Sequence, residues 1–189
     1  MKLSEPRISP AEYGDLDEET GALLGLSQAD SARRPDNVFM TFARHAALFK
    51  NFIVFGSYIL TGSTLPPRDR ELIILRIGWL CQSEYEWGQH AKIGRRCGLS
   101  DEEITRIARG SQAPGWTELE SALIRAVDEL HRDAFISDQT WTCLGAYYDV
   151  KQLMDLVFTV GQYNMVSMAL NTFGVQLDER LSGFPAGND

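Results

Sequence analysis

Between residues 71 and 90 the chain sets two carboxylates and an imidazole at spacings that could move protons. Glu86 and His90 are four residues apart, so on a helix they share a face, and Ser83 and Trp87 flank them. At ~100° per residue these four positions fall within an arc of roughly 100°. Ile93, Gly94 and Cys97 continue that face, a mixture that looks inward, whereas Glu84 and Gln89 point away, toward solvent. One helix earlier, Glu71 shares its face with Ile74, Leu75 and Gly78, while Asp69, Ile73, Arg76 and Leu80 lie opposite. A carboxylate on a packed face is costly unless it is hydrogen-bonded or paired. Two readings follow. In one, Glu71 caps its helix and Glu86–His90 is a surface pair at i,i+4. In the other, Glu71, Glu86 and His90 converge on a shielded pocket and exchange protons, which is general acid–base chemistry.

Other chemistries are weaker on spacing. Glu71, Glu86 and His90 could supply metal ligands, but the pattern is neither Glu-x-x-His nor His-Glu-x-x-His, so no metal is expected. A Ser83–His90–Glu71 nucleophile lacks a strained elbow and an oxyanion hole. Cys81 lies on another helical face from Ser83, and Cys97, 16 residues on, is about 24 Å further along a continuous helix. The two cannot form a disulfide without distortion. Cys143 reads as a small core residue. His45 and His131 read as helix-surface histidines, and Tyr85 and Trp87 as core or pocket wall. Asn164 and Asn171 share a face and could orient a polar ligand or be satisfied buried amides.

The elements that must position these residues are helices. "LPPRDREL" places Pro67 near a helix start with Asp69 and Glu71 in its first turn. "LSDEEI" pairs Ser100 with Glu103 as a capping box, and Gly98 closes the helix before it. "WTELE" repeats the device with Thr117 and Glu120, and Asp149 caps a last long helix. The expected helices run near 36–44, 46–61, 67–81, 83–97, 101–109, 117–133, 138–147 and 150–173. No stretch alternates as a strand does, so the fold class is all-α. "ELIILRIGWL" is apolar on most sides and belongs at the centre. "FIVFGSYIL" reads as an oligomer interface or a substrate wall.

The 189 residues, 44% hydrophobic, suit a single domain over 1–189 that buries roughly 70% of its unfolded surface. Residues 1–19 and 182–189 read as flexible ends. A net charge of −8 argues against nucleic acid and anionic membrane as partners. Three unpaired cysteines, no apolar leader and no run long enough to span a bilayer point to the cytoplasm.

The stretch "LPPRDRELIILRIGWLCQSEYEWGQHAKIGRRCGLSDEEI" resembles the core of the carboxymuconolactone decarboxylase and alkylhydroperoxidase D superfamily. Its peroxidase branch carries C-x-x-C-x-x-x-H on a helix, with a glutamate about twelve residues earlier. Aligned on His90, the cysteine positions become Ser83 and Glu86, and the upstream glutamate falls on Glu71. Both motif cysteines are therefore missing. The resemblance implies an all-helical, alkylhydroperoxidase D-like fold, assembled as trimers or hexamers, with an acid–base cluster in a pocket near a subunit interface. It implies Glu71, Glu86 and His90 as catalytic residues and Ser83 and Trp87 as substrate contacts. The expected function is a cofactor-free lyase or isomerase acting on a small carboxylated or lactone-type molecule. The alternatives are a peroxidase-related antioxidant protein using a thiol in another way, and a noncatalytic oligomeric binding protein.

Overall fold

The computed structural model describes residues 3–26 and 34–185, and every regular element among them is helical. After a 3-10 turn at Tyr13–Asp15 come α1 (Glu18–Leu23), α2 (Asn37–Phe42) and α3 (Ala46–Ser57), which runs into a π-helical turn at Tyr58–Gly62. Then follow α4 (Pro67–Leu80), α5 (Glu84–Arg96), α6 (Asp101–Ile107), α7 (Glu118–Asp133), α8 (Asp138–Gly145) and α9 (Val150–Phe173).

Helix α4 is the axis of the molecule. It is buried from Asp69 to Gly78 and packs against α5, α6, α7 and α9. A helix enclosed on every side can be apolar all round, as this one is. Its polar residues are matched in place: Asp69 accepts from the Tyr148 hydroxyl at 2.6 Å, and Arg76 donates to Asp128 at 2.6 Å. The capping signals hold as physical bonds. Ser100 with Glu103, Thr117 with Glu120, and Asp149 with Gln152 each close a reciprocal box. Gly98 takes φ +96°, a left-handed conformation that favours glycine, and ends α5.

The reversal between α4 and α5 is only three residues long. Its middle residue, Gln82, has φ +51°, and its side chain donates to the Trp79 carbonyl at 2.7 Å. The turn brings α5 back along α4 at close range, and small residues allow the approach. A Cβ on Gly78 would meet Glu86 at 3.5 Å, and one on Gly94 would come to 3.0 Å from Leu99 and 3.7 Å from Glu71.

Two differences from the sequence reading concern the chain ends. The opening stretch, expected to be flexible, lies against the body: the Arg7 and Ile8 N–H groups donate to the Phe173 carbonyl at 2.8 and 3.2 Å. The Ala11 N–H donates to Met40 at 2.9 Å. Main-chain bonds of this kind leave no periodic mark in the side chains. At the other end Phe184 inserts beside Trp79 and Trp87, and residues 186–189 lie outside the described residues. No helix among the described residues is long and apolar enough to cross a membrane.

Candidate active site

Glu71 projects from the middle of α4 and is fully buried. It does not cap its helix. Its Oε2 lies 2.6 Å from His90 Nδ1 on α5, and its Oε1 accepts from Arg70 Nε at 3.2 Å. His90 Nε2 lies 3.0 Å from Glu86 Oε1, one turn back on the same helix. The i,i+4 pair exists, but both partners are buried rather than on the surface. Arg70, Glu71, His90 and Glu86 thus form one chain of alternating charge, neutral in sum.

With a carboxylate oxygen at each ring nitrogen, His90 is held as an imidazolium that donates both N–H groups. Burial taken alone disfavours that cation and is the largest single influence on it. The charges and hydrogen bonds of Glu71 and Glu86 together outweigh burial and lift the His90 pKa from 6.5 to about 10. Tyr163 stacks edge-on against the ring at 4.8 Å. Burial, then the negative charges of Glu86 and Glu71, hold its phenol well above the ordinary range, so it stays neutral.

The chain of charges ends at a cavity of about 330 Å³ between α2, α3, α5 and α9. Phe39, Phe52, Ile53, Leu60 and Val166 form its apolar walls, and Glu86, His90, Gln89, Gln162 and Tyr163 its polar ones. Glu71 lies behind His90, outside the cavity lining. Glu86 lines the cavity and holds His90 through one oxygen, and its carboxylate has no second hydrogen bond among the described residues. Because both nitrogens of His90 face carboxylates, the ring offers no lone pair to a metal. Among the described residues no group of three or more His, Cys, Asp and Glu is placed to hold one.

Glu71, Glu86 and His90 are therefore brought together, whereas Ser83 and Trp87 are not in the cavity wall. Ser83 is the residue at the N-terminal cap of α5, fully buried, with its hydroxyl unpartnered. Its own extended backbone, φ −93° and ψ 93°, takes it off the helical face that a continuous helix from 83 would give. Trp87 packs 5.5 Å from Trp79 and 5.5 Å from Phe184 and is 2% exposed. Gln89, expected in solvent, lines the cavity and donates to Asp36 at 2.7 Å. Gln162 was not singled out by sequence, because a lone amide on a long buried helix carries no spacing signal.

The thiols lie elsewhere. Cys81 donates to Asn164 Oδ1 at 3.1 Å, its carbonyl accepts from Asn171 at 2.8 Å, and His131 Nδ1 is 4.0 Å from its sulfur. Burial pushes the Cys81 thiol up, with the Glu86 charge acting in the same direction, so the sulfur is poorly ionised. His45 does more than sit at the surface: its Nδ1 accepts from the Leu48 N–H at 3.2 Å and caps α3.

Residues 46–129, the segment that carries Glu71, Glu86 and His90, match the sequence model of the carboxymuconolactone decarboxylase family. The match covers 84 of the 189 residues, and over that segment the chain is similar to the carboxymuconolactone decarboxylase family. Solved structures of similar shape include the alkylhydroperoxidase AhpD core, an uncharacterized peroxidase-related protein from Ralstonia eutropha JMP134. It has a TM-score of 0.79 and 17% identity over 92% of this chain and 93% of that one. A protein of unknown function from Agrobacterium tumefaciens is 24% identical, with a TM-score of 0.64 over 69% of this chain and 90% of that one. A cysteine-to-alanine variant of the debrominase Bmp8, crystallised with 2,3,4-tribromopyrrole, has a TM-score of 0.72 and 13% identity over 94% of each chain. At these identities the likeness is one of fold. No curated protein matches the sequence. The cavity walls come partly from outside the matched segment, since Val38, Phe39, Gln162, Tyr163 and Val166 fall beyond it.

Proposed function

We propose that the protein is an enzyme of small-molecule proton transfer, working without a resident cofactor. The observation that carries this reading is the Glu86 carboxylate at an apolar cavity, paired with His90 and through it with Glu71. Glu86 takes a proton from a carbon next to the carbonyl of a lactone-type or carboxylated substrate. The C–H electron pair moves into the adjacent C–C bond and the carbonyl becomes an enolate. In a β,γ-unsaturated substrate the proton then returns at the γ-carbon, giving the conjugated isomer; where the β-carbon carries a leaving group, the enolate expels it with its electron pair, giving a lyase product. Neither outcome consumes an oxidant or a reductant. His90 keeps Glu86 oriented and holds a proton one hydrogen bond away, and Glu71 positions His90. A general base of this kind contributes roughly 10²–10⁴-fold to rate.

Partners and location belong to the same reading. Val150, Met154, Phe158, Met165 and Met168 form an exposed apolar stripe along α9, and Val54 and Phe55 of α3 continue it through the Phe55–Phe158 contact at 6.2 Å. Such a stripe suits burial against a second copy of the chain, in a trimer or hexamer. Free Cys81, Cys97 and Cys143 suit a reducing cytoplasm.

The test is deuterium wash-in. A panel of ring-sized lactones and α-substituted carbonyl compounds is incubated with enzyme in D2O, and loss of the α-proton signal is followed by NMR. Wild-type protein is expected to accelerate exchange of at least one compound, and Glu86→Gln to slow it at least 100-fold while remaining folded. Exchange that is unchanged in Glu86→Gln would overturn the reading.

A further inference from the structure

The polar groups of the cavity set a charge requirement on whatever fills it. Among the described residues neither lysine nor arginine lines it, and two carboxylates, Glu86 and Asp36, do. His90 is the one cationic ring in the wall, and both of its N–H groups are already given to Glu86 and Glu71. Asp36 is held by Arg180 and Gln89 at the edge of the cavity. A ligand carboxylate entering here would lose its water, meet Glu86 and find no lysine or arginine among the described lining residues to pair with, which is the costly case for a buried charge.

Opposed to that is a polar group with capacity to spare. Gln162, on α9 one residue before Tyr163, is 4% exposed, and its Oε1 is fully covered without a hydrogen-bond partner. The amide lies against Gly56, where an added Cβ would stand 3.8 Å from its Nε2, so the wall beside it is bare backbone. A buried amide with an unsatisfied oxygen costs about 1–3 kcal/mol, and a half-turn of the amide presents that oxygen to a ligand in the cavity, which recovers the loss. The size of the occupant follows from volume. An apolar cavity of ~150 Å³ holds a benzene, so about 330 Å³ accommodates a fused or substituted ring of roughly a dozen non-hydrogen atoms.

We infer that the cavity takes an uncharged, ring-sized molecule carrying one hydrogen-bonding group, that Gln162 is the residue that reads this group, and that carboxylates of the same size are excluded. This rests on the proton-transfer reading for the identity of the site and narrows its substrates to the lactone-type, neutral class.

The experiment measures binding rather than turnover, so it stands apart from the exchange test. The probes are 2-naphthol, naphthalene and 2-naphthoate at pH 7.5, titrated by ligand-observed NMR against wild type, Gln162→Leu and, as an unbranched apolar replacement of similar size, Gln162→Met. Wild type is expected to bind 2-naphthol about tenfold more tightly than naphthalene and at least tenfold more tightly than 2-naphthoate. Either Gln162 variant, if folded by its thermal transition, should bring 2-naphthol to within about threefold of naphthalene while leaving naphthalene unchanged. Glu86→Gln should keep the preference for 2-naphthol over naphthalene even where it abolishes exchange. The inference is overturned if 2-naphthoate binds as well as 2-naphthol, or if the naphthol preference survives in both Gln162 variants. Failure of all three probes to bind wild type overturns it too, since the cavity would then be closed to molecules of that size.

Discussion

Glu71→Gln is nearly isosteric and keeps an acceptor for His90, yet removes the charge that sustains the imidazolium. Raising the His90 pKa from 6.5 to about 10 means the folded state holds the proton more tightly than the unfolded chain does. At ~1.4 kcal/mol per unit that coupling amounts to several kcal/mol. It is complete below pH ~6.5, the unfolded value, and is lost progressively as pH rises toward 10. Breaking a buried pair by removing one partner costs about 3–5 kcal/mol. Glu71→Gln is therefore expected to destabilise the protein by about that much at pH 6. The loss should shrink by roughly 2–3 kcal/mol by pH 9, where wild type has itself surrendered most of the coupling. Arg70 loses its partner in the variant as well, but guanidinium does not titrate in this range, so its share is constant with pH. The assay is urea unfolding of both proteins at pH 6, 7.5 and 9, with the denaturant slope checked for constancy. A destabilisation that does not change between pH 6 and 9 would refute an imidazolium held by Glu71.

Three further expectations test the surroundings of the site. Cys81→Ser should leave deuterium wash-in unchanged, and the wild-type Cys81 thiol should react with a disulfide reagent at pH 7 more slowly than free cysteine, because burial raises it; loss of activity in the serine variant would return the thiol to the mechanism. Met154→Glu combined with Met168→Glu places charges at positions 55% and 60% exposed, so the protomer should stay folded while light scattering falls to the 21.2 kDa of one chain. A wild type that is already monomeric at micromolar concentration would remove the assembly proposal. Ser83→Cys with Glu86→Cys puts one thiol at the cap of α5 and the other in its first turn, and the pair should oxidise in a thiol titration once the cap residue turns toward the helix; persistent free thiols under air would show the α5 start too rigid to close the bond.

Much of this arrangement is legible in sequence because it is local. Ser100 with Glu103 and Thr117 with Glu120 announce helix starts through bonds three residues long, and the apolar surround of "ELIILRIGWL" announces a central helix. Glu71 and His90 are visible because each breaks the apolar face of its own helix. What escapes is non-local. The chain reverses at the left-handed Gln82 and enters α5 through an extended Ser83, which leaves that residue off the α5 face, and nothing in residues 83–90 indicates it. Trp87 is drawn from the cavity by Trp79 and by Phe184, which arrives from nearly a hundred residues away. Gln89 and Gln162 become cavity residues because α2 and α9 are folded against α5, a fact of packing that helical periodicity does not carry. The place of the Glu86 carboxylate at the cavity is likewise a property of what surrounds it.

The central claim is that His90 is a permanent cation between Glu71 and Glu86 at neutral pH. Nitrogen-15 NMR of the imidazole rings, with His90→Ala to assign the signals against those of His45 and His131, measures it directly. The account predicts a His90 ring protonated on both nitrogens from pH 6 to beyond pH 8, titrating near pH 10. A His90 ring that is neutral at pH 7.5, or that titrates near the ordinary 6.5, would contradict it.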